Sequence, residues 1–299
     1  MSGTETQPGP APEDWVGRSE TLTDRLDTGP AQRLMALLDR DPDPLAAGDP
    51  LPPGGHWHYF LPRARQSALG PDGHERRGGF LPPIALPRRM WAGGRLQFHQ
   101  PLILGDAAER RSTILSVVQK TGRSGPLAFV TVRHDISGPN GLAVSEEHDI
   151  VYRAQASGTM DKAPAPSTAS PASARPQPAW RTTIEPTAAL LFRYSALTFN
   201  GHRIHYDRAY ATAEEGYPGL VVHGPLIATL LMDGWRRANP ADEIARFRFR
   251  MLAPVCDTGP FVLAGARAAD GTDALWAESH EGILATEAAV EPQDRRRGP

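Results

Sequence analysis

Arg193-Tyr-Ser-Ala-Leu-Thr-Phe-Asn200-Gly-His202-Arg-Ile-His205-Tyr-Asp207, followed by Tyr217-Pro-Gly-Leu-Val-Val-His223-Gly224-Pro225, is the stretch that decides how this chain is read. The first run gathers Asn200, His202, His205 and Asp207, and imidazoles exchange protons near neutral pH. The second run ends on a Gly-Pro step that opens the apolar segment Leu226-Ile-Ala-Thr-Leu-Leu-Met. Proline suits the first turn of a helix, and a segment apolar almost all round is a buried helix. The free N–H groups at such a helix start can hold a developing oxyanion. Proton-moving groups beside an oxyanion site imply chemistry that passes through an enolate.

Working outward, Asp207 caps a short helix that stops at Gly216, and the buried helix ends near Asn239-Pro240. Alternating or apolar runs follow at 245–252, 260–267, 274–281 and 283–290, divided by turn signals such as Asp270-Gly271. That order predicts one long helix and a curved antiparallel meander. Similar strand patterns occupy 94–99, 111–121, 127–136 and 142–152, with Gly122, Gly125 and Gly141 at turns and a helix expected from Thr28. The Pro/Ala/Ser-rich stretch 155–179 has little to bury and reads as a linker. The expected units are thus a lobe at 13–154, the linker at 155–179 and a second lobe at 180–290 carrying the polar cluster.

Bulk properties exclude several classes. The formal net charge of −2 gives no reason to expect capture of nucleic acid or of an acidic membrane. Lys120 and Lys162 are the only lysines among 32 basic residues, a bias we read as compositional. A single cysteine, Cys256, excludes an internal disulfide and a multi-cysteine metal site. His56, His58 and His99 lack a metal-ligand spacing, so neither a metal nor a tightly held cofactor is expected. With no signal region and no apolar segment of membrane-spanning length, a cytoplasmic protein is expected.

The quoted segment resembles the catalytic segment of the MaoC-like, (R)-specific enoyl-thioester hydratases of hotdog fold. It is most similar to the branch holding fungal mitochondrial 3-hydroxyacyl-thioester dehydratases and bacterial mesaconyl-C4-CoA hydratases. Met90-Trp-Ala-Gly-Gly-Arg-Leu-Gln-Phe-His99 and Lys120-Thr-Gly-Arg-Ser-Gly-Pro-Leu look like that branch's non-catalytic lobe. The resemblance implies an α+β double hotdog, two antiparallel sheets each wrapped around a long helix, with a possible homodimer beyond it. It also implies an acyl-CoA thioester as substrate, mesaconyl-C4-CoA hydrated to citramalyl-CoA being the expected reaction. A fatty 3-hydroxyacyl-thioester dehydratase, a thioesterase and a non-catalytic acyl-thioester binding module stay open.

Members of the family carry an Asp-x-Asn-Pro-x-His element. Here Asn200 and His205 match its Asn and His, Thr198 stands at the Asp position, and Gly-His-Arg replaces the Pro. Threonine cannot act as a carboxylate base. His205, Asn200, Asp207 and Gly224 are therefore the catalytic candidates, and Thr198, His202, Arg203 and His223 the substrate-binding ones. Asp207 reads equally as a helix N-cap, Asn200 as a turn residue, Gly224 as a plain helix start and Arg203 as a surface ion pair. Arg88-Arg89 and Arg236-Arg237 are read as solvated faces.

Overall fold

The structure, a computed structural model, describes residues 10–122, 125–154, 175–267 and 271–293. Its first half supplies β1 (Ser19–Arg25), α1 (Thr28–Leu37), β2 (Arg88–Phe98), β3 (Ala107–Gly122), β4 (Gly125–Gly138) and β5 (Gly141–Arg153). The second supplies β6 (Trp180–Ile184), α2 (Ala188–Leu197), α3 (Gly224–Ala238), β7 (Ile244–Met251), β8 (Phe261–Arg267), β9 (Asp273–Glu278) and β10 (Leu284–Pro292). All ten strands join one antiparallel sheet in the order β1-β3-β4-β5-β2-β7-β10-β9-β8-β6. Numbered within its own half, each set of strands runs 1-3-4-5-2 from its outer edge, and the two second strands meet in the middle. The chain is therefore a fused pseudo-dimer, and the junction closes what would otherwise be two exposed sheet edges.

That junction explains Trp91-Ala-Gly-Gly. Gly93 pairs with Arg250 and Gly94 with Phe249, and a Cβ on Gly93 would stand 2.5 Å from the Phe249 carbonyl oxygen. Only glycine lets the lobes approach this closely.

In the second lobe α3 fills the concave face of the sheet. Leu226, Ala228 and Leu231 are fully buried against Phe261, Leu263, Leu275 and Ala285, each large side chain contributing about 1.5–3 kcal/mol. Trp235 is anchored through its indole N–H, donated to Asp273 Oδ2 at 2.6 Å. Gly234 admits the ring of Trp180, which a Cβ would meet at 2.7 Å.

The first lobe departs from the expected plan. Among the described residues its helix α1 has only ten residues, and no element the length of α3 lies against its sheet. In that place runs a loop-rich stretch, 39–87, with short 3-10 turns at Gly55–His58 and Gln66–Ala68. Pro50, Pro52, Pro53, Pro62 and Pro71 prevent a helix there by removing donors and clashing with the preceding turn. Of the expected linker, 155–179, residues 155–174 lie outside the described residues. Its last residues are docked: Ala179 donates its N–H to Gly265 at 2.8 Å, and Arg175 pairs with Glu278.

Candidate active site

The space not filled by a helix in the first lobe is a cavity of about 810 Å³. One wall comes from the second lobe: Tyr194 and Ser195 of α2, then Thr198, Asn200, Arg203 and Pro225. Opposite stand side chains from the inner face of the first sheet, Arg89 and Trp91 on β2, Arg110 on β3, His134 on β4, Glu146 and His148 on β5. The loop 56–75 completes it, and Phe192 and Phe199, 63% and 64% exposed, lie at its rim.

α2 begins with Thr187, whose hydroxyl caps the N–H of Leu190. It stops at Thr198, whose hydroxyl donates back to the Tyr194 carbonyl at 2.8 Å. That bond occupies the hydroxyl proton of Thr198, which lines the cavity without offering a carboxylate. Phe199 follows with φ 50, a left-handed conformation costly for an aromatic residue and a mark of a constrained loop. Asn200 then accepts the His202 N–H on Oδ1 at 3.0 Å, forming a side-chain turn.

His205 sits one layer behind the wall and is 7% exposed. Its Nδ1–H donates to the Val221 carbonyl at 2.7 Å, which leaves Nε2 as the nitrogen able to take a proton. Its ring stacks on His223 at 3.7 Å and 18°. His223, fully buried, meets the wall residue Ser195 through Nε2 and Oγ at 2.8 Å. His202 stands edge-on to His205 at 5.3 Å. Burial holds all three neutral: it depresses His205 to about 4 and His202 to about 2, and pushes His223 well below the usual imidazole range.

Asp207 faces elsewhere. Its carboxylate accepts the Tyr210 N–H at 3.1 Å and Arg203 Nε and Nη2 at 3.0 and 2.8 Å. It is the N-cap of the next helical segment and the partner of Arg203, and these bonds do not connect it to His205. Arg203 is equally occupied, with its guanidinium on Asp207, on the Pro71 carbonyl at 3.0 Å and over the Tyr210 ring. Gly224 opens α3 after His223, and Pro225 beside it reaches the cavity wall. Pro225 has no donor, so the N–H groups free at this helix start are those of Gly224 and Leu226.

Several residues at the site were not singled out in the sequence. Asp72 and His74 arrive on a first-lobe loop sewn to the second lobe by Arg203 N–H, donated to the Asp72 carbonyl at 2.9 Å. Asp72 holds His74 by its backbone N–H and its Nδ1, both at 3.0 Å. The His74 ring lies 4.1 Å from that of His202. Burial works against the Asp72 charge, yet the bonds from His74 hold its carboxyl below the usual carboxylate range. Asp72, His74 and His202 also present ligand atoms within 4.8 Å of one another, a grouping able to hold a metal ion.

At the far end of the cavity Glu146, 2% exposed, accepts His56 Nε2 at 2.9 Å, Trp57 Nε1 at 2.8 Å and the ring N–H of His148. Burial would raise its carboxyl, but these donors hold it well below the usual range. A signal for this cluster existed: Val144, Glu146, His148, Ile150 and Tyr152 share one parity of β5, so two polar residues interrupt an apolar face. The reading of Arg88-Arg89 as a solvated face is corrected. Arg88 pairs with Glu215 at 3.1 Å, and Arg89, on the opposite parity, lines the cavity.

The family model for hydroxyacyl-thioester dehydratase type 2 matches residues 54–257, from the cavity loop through the junction and α3 to just beyond β7. The chain belongs to this family. It is 49% identical over 277 residues to mesaconyl-C4-CoA hydratase of Chloroflexus aurantiacus, covering 93% of this chain and 96% of that one. Among solved structures it is similar to a MaoC-like dehydratase, with 14% identity, a TM-score of 0.68 and coverage of 94% and 98%. A Mycobacterium tuberculosis protein with a double hotdog fold matches at 15% identity and a TM-score of 0.50, covering 93% of this chain and 96% of that one. The fold is a double hotdog, with the long helix retained in the second lobe.

Proposed function

We propose that this protein is a hydro-lyase that adds water reversibly across the 2,3 double bond of an enoyl-CoA thioester, converting mesaconyl-C4-CoA to citramalyl-CoA. The observation that carries this reading is the cavity itself. Behind its second-lobe wall lies the neutral imidazole of His205, with Nε2 as the proton acceptor, and Pro225 brings the α3 start to the same wall. The opposite wall bears two arginines, Arg89 and Arg110, with His134, Glu146 and His148 set among Trp91 and Ile136. The 49% identity to a mesaconyl-C4-CoA hydratase supports the same substrate.

In the hydration direction His205 Nε2 takes one proton from water as the water oxygen bonds to C3. The π pair of C2=C3 moves to the thioester oxygen, where N–H groups of Gly224 and Leu226 at the α3 start receive the charge. The enolate then collapses, and C2 takes the proton from the His205 imidazolium, so proton and charge return to their starting places. Delivery of both groups by one residue is syn addition.

A second reading, dehydration of fatty 3-hydroxyacyl thioesters, is favoured by the hydroxyacyl-thioester dehydratase family to which the chain belongs and by the aromatic rim at Phe192 and Phe199. Turnover on mesaconyl-C4-CoA, crotonyl-CoA and a medium-chain enoyl-CoA, with products identified by mass, separates the two. Water addition confined to the linear thioesters would replace the first reading with the second. Among the described residues no helix is long and apolar enough to cross a membrane. The reading places the protein with CoA metabolites in the cytoplasm, and light scattering tests whether the pseudo-dimer pairs again.

A further inference from the structure

Three arginines reach the cavity, and they differ in what already holds them. Arg203 is tied to Asp207. Arg110 lies over the Phe60 ring at the Glu146 end, where it faces Glu20, Asp24 and Glu146. Arg89 is in no ion pair with a carboxylate among the described residues; its cross-strand partner on β5 is Tyr152. Its neighbour in sequence, Arg88, points to the other face and is neutralised by Glu215. An arginine brought to a cavity wall without a carboxylate has lost part of its hydration and has no compensating charge. Its planar fork is suited to take a carboxylate from a ligand in two parallel bonds.

The position of Arg89 decides which carboxylate. On the hydratase reading above, on which this inference rests, the free carboxylate of the substrate sits on C3, the carbon that receives the hydroxyl. Its receptor must therefore stand beside the proton-handling cluster and not at the far end of the cavity. Arg89 acts electrostatically on His74 and His202, whereas Arg110 acts on His134 at the other end.

We infer that Arg89 is the receptor for a carboxylate on C3 of the enoyl thioester, binding it through a bidentate guanidinium pair and selecting dicarboxylyl over fatty thioesters. The test is kcat/KM for mesaconyl-C4-CoA and for crotonyl-CoA, which lacks that carboxylate, in wild type, Arg89→Met, Arg89→Lys and Arg110→Met. The ratio of the two values is expected to fall about 10²-fold or more in Arg89→Met and less in Arg89→Lys. In Arg110→Met the ratio stays within about threefold. Equal losses on both substrates in Arg89→Met would overturn the inference, since the phosphates of CoA are common to both and the anion held would be theirs. Collapse of the ratio in Arg110→Met alone would also overturn it. A wild type inactive on mesaconyl-C4-CoA brings down the hydratase reading and this inference together. An active wild type whose ratio Arg89→Met leaves unmoved brings down this inference alone.

Discussion

His205 donates its Nδ1 proton to the carbonyl of Val221 at 2.7 Å, and that single bond sets the chemistry of the ring. It fixes the tautomer, so Nε2 is the acceptor, and stacking on His223 fixes the plane. The next strand-like segment, Leu220–Val222, is in turn held by Val221 N–H to Ile204 and Val222 N–H to Val255. The base is thus positioned by backbone and not by a carboxylate.

Replacing His205 by alanine removes the proton acceptor but little of the cavity wall. Activity is expected to drop about 10²–10⁴-fold in kcat with KM changed far less. Steady-state kinetics on the preferred thioester check this, and a variant with normal kcat would remove His205 from the mechanism.

The pH profile follows from burial. His205 must be neutral to accept a proton, and burial lowers it to about 4 from an ordinary 6.5. Activity therefore stays level from neutral pH down to about pH 5 and halves near about pH 4. Brief assays after a pH jump, which outrun acid unfolding, measure kcat/KM directly. A midpoint near 6.5 would mean a solvated base.

Gly73 is where the two lobes touch at the site. Its φ is +87, and a Cβ would stand 1.8 Å from the Gly201 carbonyl oxygen. Gly73→Ala must push the Asp72–His74 loop off the 200–203 segment and breaks the Arg203-to-Asp72 bond. We expect at least about a tenfold loss of activity, from misplacement of groups by an ångström or so, while the core of α3 stays intact. Kinetics beside far-ultraviolet circular dichroism distinguish this from general unfolding.

Acid stability gives an independent check. His58, His202 and His205 are held neutral by burial, at about 3, 2 and 4, and His134 and His223 are depressed as well. Unfolded, these imidazoles bind protons below pH 6.5, while folded they do not until far lower. Stability is therefore level above about pH 6.5 and falls as pH drops from there toward 4, by up to about 1.4 kcal/mol per pH unit for each imidazole. Both ring nitrogens of His58 are buried without a partner, so His58→Phe should flatten part of this slope and not lower the melting temperature at pH 8. Melting curves across pH 4–8 test both.

Much of the second lobe was legible because its signals are local. Pro225 at the first turn, the apolar run of α3, the Asp207 cap and the turn at Gly216 each depend on neighbours within a few residues. The first lobe was less so. Its strands alternated clearly, yet no periodicity told that loop 39–87 would take the place of a helix, although its prolines forbade one. Asp72 and Glu146 escaped notice because each looks like an ordinary polar residue until the partners that hold it are known.

By itself, then, the sequence determined the main strands of both lobes, the helix start at Gly224 and the segment that carries Asn200 and His205, but not β1, β6 or α2. The tertiary structure alone decided that Asp72 and His74 meet His202, that Asp207 serves Arg203 and not His205, and that Arg89 faces the cavity while Arg88 faces Glu215. The division has a physical cause. Caps, turns and amphipathic periods are set by interactions along the chain. A site built at a lobe junction depends on strand register and loop docking between segments far apart in sequence, where a shift of one residue turns a side chain to the opposite face.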